Sequence, residues 1–235
     1  MAEIDGDALG WYRCSTWTEG DTHGGGASTT AITDATANNV FDDVSDAERS
    51  AGDVEYRKIW VKISSGTYPD PKVWIESNTP AVNDTVKILL AGSKSTVSTP
   101  ATLTGTLQFT NGNTAVVGTA TAFLMELAPG EKIYNMTDDG EGDAVTIASI
   151  TDDTHLTLAS NYGGTSGSGK TGAVAGIDAA AANFVAPDAK DHASVLAGRD
   201  ITTSTPLGIW VQRTVSAGVN KGYEDNSATI AVEHS

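Results

Sequence analysis

Three short stretches limit what this chain can fold into: KIWVKI at 58–63, KVWIE at 72–76 and GIWVQRTV at 208–215. In each, apolar residues alternate with others at a period of two, which is the period of a β-strand. Ile59, Val61 and Ile63 alternate with Trp60 and Lys62. Val73 and Ile75 flank Trp74, and Leu207, Ile209 and Val211 alternate with Gly208, Trp210 and Gln212. More runs of the same kind follow, including DTVKILL, NTAVVGT, AVTIASI, THLTL and ATIAV, separated by Gly, Pro, Asn and Asp. Short strands at close spacing with such punctuation indicate an all-β chain, and a sandwich among the all-β architectures. The 235 residues suffice for one or two domains.

Charge narrows the partners. The formal net charge is −16, and such a field repels phosphate backbones and anionic lipid, so neither nucleic acid nor membrane is expected as a partner. No run approaches the ~18 apolar residues of a membrane-spanning helix. The opening MAEIDGDALGWYR has no apolar h-region, so synthesis in the cytoplasm without a secretory signal is expected. The single cysteine, Cys14, allows no intramolecular disulfide and reads as a buried, inert thiol.

Texture divides the chain. Residues 18–39 (TEGDTHGGGASTTAITDATANN) are polar and Gly-rich, and read as a loop or flexible arm. The stretch 95–106 suits a linker, and NYGGTSGSGKTG at 161–172 reads as a second flexible run. Pro129-Gly130 marks a turn, since Pro pre-sets φ and Gly accepts a positive φ. AGIDAAAANFVA, around 176–186, is the one helix candidate, with Asp178 able to cap it.

Several patterns could carry chemistry. Gly164 to Thr171 matches the phosphate-loop spacing, but few residues follow it and no apolar run ending in Asp lies downstream to hold magnesium, so a linker is the better reading. Asp138, Asp139, Glu141 and Asp143 could offer carboxylates to calcium, although the spacing is not that of a helix-loop-helix site, and a solvated acidic turn is the simpler reading. His23, His155, His192 and His234 are too scattered for a zinc site. No catalytic residue, cofactor or metal is assigned, and the chain is expected not to be an enzyme. The aromatic residues offer the best candidate surface. Trp60, Trp74 and Trp210 either half-cover a sheet or, with Trp11 and Trp17, form a contact surface, because Trp is enriched at binding hot spots.

The segment FDDVSDAERSAGDVEYRKIWVKISSG at 41–66, continued through 72–80, is similar to an immunoglobulin-like module of tailed-bacteriophage structural proteins. PLGIWVQRTVSAGV at 206–219, with YEDN at 223–226 and ATIAVE, resembles that module's closing strands. Between them, GNTAVVGTATAFLMELAPGEKIYN and VTIASITDDTHLTLASNYGGTSGSG resemble a small β-barrel-like module of phage head, tail and fibre proteins. The resemblance implies a discontinuous immunoglobulin-like antiparallel β-sandwich, 1–97 plus 176–235, with an inserted small β domain at 98–175. Insertion at an exposed loop with close ends is a tolerated arrangement. It further implies a virion protein that is a capsid decoration (cement) or head-associated subunit, homo-oligomeric, and bound to the major capsid protein or other virion proteins. A tail, baseplate or fibre-anchoring subunit is one alternative. A carbohydrate-binding module using exposed Trp is the other.

Overall fold

The computed structural model describes residues 9–33, 36, 38–78, 84–138, 144–191, 196–218 and 228–234, apart from the side chains of Ala197 and His234. Strands hold 49% of the described residues and helices 9%, and all named ladders are antiparallel, so the protein is all-β.

In chain order the elements begin with β1 (Leu9–Thr16), β2 (Gly24–Ala31), α1 (Asp46–Ala51), β3 (Asp53–Ile63), β4 (Thr67–Tyr68), β5 (Pro71–Ser77) and β6 (Asp84–Ala91). Then come β7 (Ala101–Thr102), β8 (Thr106–Phe109), β9 (Ala115–Thr119), α2 (Phe123–Glu126), β10 (Lys132–Asn135), β11 (Val145–Asp152), β12 (His155–Leu158), β13 (Gly167–Lys170) and β14 (Gly172–Val174). A 3-10 helix (Ile177–Asn183), β15 (Leu196–Ala197), β16 (Ile201–Thr202), β17 (Leu207–Val215) and β18 (Thr229–His234) complete it.

The chain forms two compact units. The first comprises Met1–Arg13, Ala27–Leu89 and Phe184–Ser235, the second Cys14–Gly26 and Leu90–Asn183. The sequence reading placed its boundaries at 97/98 and 175/176 and kept residues 14–26 with the outer domain.

Unit 1 is built on a five-stranded sheet of order β2-β1-β3-β17-β6, with a three-stranded sheet β15-β5-β18 and the pair β16-β4. The β3–β17 ladder is its longest, running from Leu207 opposite Val61 to Val215 opposite Asp53. Residues 57–61 of β3 and 207–213 of β17 are buried without alternation, so both faces of this pair are covered. That is why Trp60, on the face opposite Ile59 and Val61, is as buried as they are. The outer edge of β6 is closed in two places. The Asn78 side chain both donates to the Val86 carbonyl (3.2 Å) and accepts from its amide (3.1 Å), as a strand neighbour would. Val185 exchanges both backbone hydrogen bonds with Ile88. The helix α1 carries the capping box of Ser45 and Glu48, and Arg49 binds Asp84 at the start of β6 through two hydrogen bonds of 2.5 and 2.7 Å.

Unit 2 holds an eight-stranded sheet of order β13-β8-β9-β12-β11-β10-β14-β7. Its ends are not independent. Thr171 alone separates β13 from β14, and residues 103–105 alone separate β7 from β8. The β7–β8 segment pairs along the β13–β14 segment, through Ala101 with Val174, Thr102 with Ala173 and Leu107 with Lys170, so the ladder returns on itself. Alternation is regular: Leu107 and Phe109, Val116, Leu156 and Leu158 point inward and their neighbours outward. These residues join Phe123, Leu127, Ile133, Ile147, Tyr162 and Val174 in one core. Gly118 is an inward position of β9 kept empty. A Cβ there would lie 2.0 Å from the Thr121 hydroxyl and 2.9 Å from the Phe123 ring, so the missing side chain makes room for the fully buried Phe123.

Three expectations are corrected here. The supposed arm at 18–39 contains β2, because an edge strand needs only backbone hydrogen bonds from β1 and no apolar face of its own. The supposed linker at 95–106 contains β7 and the buried Leu103. The supposed flexible run at 161–172 contains β13 and the buried Tyr162. The helix candidate at 176–186 forms as a 3-10 helix, with the Asp178 carboxylate accepting from the Ala179 amide.

Candidate functional site

The tryptophans do not gather on a surface. Trp60 and Trp210 are fully buried and Trp74 is 8% exposed, while Trp11 and Trp17 are half-buried. The contact-surface expectation is therefore corrected for Trp60, Trp74 and Trp210. Sugar stacking needs an open ring face, and Trp60 and Trp210 offer none. What these two rings hold instead is Lys58. Trp210 lies directly opposite Lys58 in the ladder, and Trp60 follows two residues along the same face. The fully buried ammonium sits 5.4 Å from the Trp60 ring centre and 5.2 Å from that of Trp210, each a cation–π distance. The period-two spacing of Lys58 and Trp60 was the sequence signal for this cluster.

The opposite face of the same ladder carries a second charged cluster. Arg213 lies opposite Glu55 and binds its carboxylate through Nε at 2.5 Å, and it also donates to the Asp42 carbonyl at 2.7 Å. The Phe41 ring rests between two guanidinium groups, 4.8 Å from that of Arg213 and 5.2 Å from that of Arg57. Burial pushes Glu55 above the ordinary carboxylate range, against the pull of Arg213 and Arg57. Glu48, Asp53 and Glu55 bring carboxylate oxygens within 4.8 Å of one another. Two of the three are already engaged, Glu55 with arginine and Glu48 with the Ser45 amide.

In unit 2, Cys14 and His23 form a buried pair, 2% and 0% exposed, with the sulfur 3.5 Å from Nε2. His23 Nδ1 lies 2.9 Å from the Thr18 carbonyl and 3.3 Å from the Thr18 amide. The thiol also donates to the Thr16 carbonyl, 3.2 Å from the sulfur. The Trp17 ring packs edge-on at 5.0 Å. A thiol beside a base is the beginning of a nucleophilic site, but burial gives this one no approach for a substrate, and it ties residues 14–23 together.

Two buried carboxylates went unnoticed in the sequence. Glu131, 1% exposed, accepts from the Gly92 amide (3.1 Å), the Ala128 amide (2.9 Å) and the Ser95 hydroxyl (2.5 Å). Glu126 accepts from the Thr104 amide and hydroxyl at 2.8 and 2.5 Å. Each fastens one turn of unit 2 to another.

The phosphate-loop pattern carries no phosphate site. Its Gly167–Lys170 stretch is β13, β14 follows directly instead of a helix, and Lys170 is ion-paired to Asp138 at 2.6 Å. That ammonium holds the Asp138 carboxyl below its usual range, helped by the Asn135 amide. Of the proposed calcium run only Asp138 is described; Asp139, Glu141 and Asp143 lie outside the described residues, as does His192. His155 is exposed and pairs with Asp152 at 3.0 Å.

The remaining feature is where the charge sits. Among the described residues, the buried cations Arg57, Lys58 and Arg213 equal in number the buried anions Asp84, Glu126 and Glu131. The net charge of −16 is thus carried by the residues outside this buried set. Comparisons of the chain with protein-family models, with curated proteins and with solved structures find no match.

Proposed function

We propose that this chain is a non-enzymatic structural protein of a tailed-bacteriophage particle, a capsid decoration or head-associated subunit. We read unit 1 as an immunoglobulin-like sandwich and unit 2 as a small barrel inserted into it. The observation that carries the proposal is the distribution of charge. Buried cations and buried anions are equal in number among the described residues, so the acid excess of the chain lies outside the buried set, and such an excess fits a cationic protein surface. A shell of repeated subunits offers such a surface many times over, and many weak contacts hold by avidity. The sequence resemblance of both units to phage virion modules supports the same assignment.

The test is quantitative mass spectrometry of purified particles, scaled to the major capsid protein. A copy number comparable to that of the shell subunits is expected. A copy number of a single ring moves the protein to the tail or baseplate. Absence from the particle overturns the proposal.

A further inference from the structure

One face of unit 2 departs from the acidity of the chain. The outward positions of β8, β9 and β12 are uncharged across three neighbouring strands. Thr106 stands opposite Thr119, Gln108 opposite Val117, and Val117 opposite His155, with Thr157 beside them. All are exposed. The one titratable side chain among them, His155, is held by Asp152 at the rim. Val117, 38% exposed, lies at the centre of the patch. Among the described residues it is one of two large apolar side chains this open, the other being Val54 at 46%.

Electrostatics assigns an occupant to such a window. A cationic partner gains by docking where the acids are. A second copy of this chain is repelled there, and it can approach within the ~8 Å screening length of physiological salt at least cost where acid is confined to the rim, here Asp152 and Asp153. The window is also chemically self-complementary. Thr hydroxyls and the Gln amide both donate and accept, so the patch can pair with itself across a two-fold axis around an apolar centre. We infer that this face is where two copies of the chain meet, in an isologous contact centred on Val117. The inference rests on the structural-protein reading only for its purpose; the contact itself belongs to the isolated protein.

Salt separates this contact from shell docking. Contact between two acidic copies tightens as salt rises, whereas attachment of an acidic exterior to a basic surface weakens. Sedimentation velocity of the full chain, from low micromolar to near-millimolar concentration and at low and high salt, is the experiment. A concentration-dependent dimer that tightens with salt is expected. Val117→Glu should weaken it at least tenfold and Val54→Glu should leave it unchanged, with far-UV circular dichroism confirming that each variant is folded. Thr119→Glu serves as a second variant on the same face and should act like Val117→Glu. A chain that stays monomeric throughout, a dimer that persists in both Val117→Glu and Thr119→Glu, or a dimer lost in Val54→Glu overturns the inference. So does a monomeric wild type whose binding to shells is lost in Val117→Glu, since the face would then be a shell contact. Copy number in the particle is measured separately, so the two proposals fail independently.

Discussion

The Glu131 carboxylate accepts three hydrogen bonds at a position that is 1% exposed. Glu131→Ala removes a carboxylate that accepts from two amides and a hydroxyl, and should lower unfolding stability by about 3 kcal/mol in urea titration, since a lost buried acceptor costs on the order of 1–3 kcal/mol for each donor it served. Glu131→Gln keeps an acceptor oxygen and should lose less. Trp60 makes the same point for packing. Trp60→Ala should cost ~3–5 kcal/mol through the cavity it leaves and should appear in the melting curve before any binding assay. Neither residue's burial could be read locally. A lone Glu in PGEKI reads as solvent-facing, and Trp60 reads as half-covered until both faces of β3 are known to be occupied. Lys58 is the partial exception, because its spacing from Trp60 placed both on one face.

Elements were legible where side chains decide them. Strands β3, β5, β6, β9, β11, β12, β17 and β18 carry β-branched residues in alternation and stand where the sequence put them. Strands β2, β7 and β13 are built from Gly, Ser, Thr and Ala, with Lys170 the one exception, and their ladders are held by the backbone of a neighbour, which no local pattern encodes. The capping box of α1 was present as Ser45 and Glu48 and passed unread inside an acidic stretch. Edge protection in β6 is likewise a matter of one side chain standing in for a strand. Asn78→Ala removes two hydrogen bonds to Val86 and should cost about 1–2 kcal/mol. It should also raise aggregation measured by light scattering, since it reopens an edge. The β11–β12 hairpin gives a pH-dependent case. Asp152, the last residue of β11, accepts from the backbone and hydroxyl of Thr154 and from His155, which together lower its pKa to about 2. Its folded pKa is thus below the unfolded value of about 3.9. Its contribution is therefore present above that unfolded value and lost as pH falls through the folded one. Asp152→Asn should lower the melting temperature near neutrality, and the difference from wild type should vanish in strong acid.

At the scale of the molecule, an all-β chain with a large acid excess was legible from composition and alternation, whereas the membership of residues 14–26 in unit 2 was not. Their place depends on two buried side chains, Cys14 and His23, and on hydrogen bonds such as Gly25 to Ser95 and Val97 to His23, which join residues 70 or more positions apart. A fragment of residues 90–183 alone should consequently show weaker amide protection than the same region in the full chain. A peptide of residues 14–26 added in excess should restore part of it, as hydrogen exchange would measure. The way into and out of the 101–174 segment has a mechanical consequence. Ala101 and Val174 are partners at the end of one short ladder, so tension applied at residues 100 and 175 would peel that ladder one rung at a time instead of shearing all its rungs together. Peeling is the direction in which a β-ladder resists least, and unit 2 would therefore yield to a pull at those points well before its core is strained.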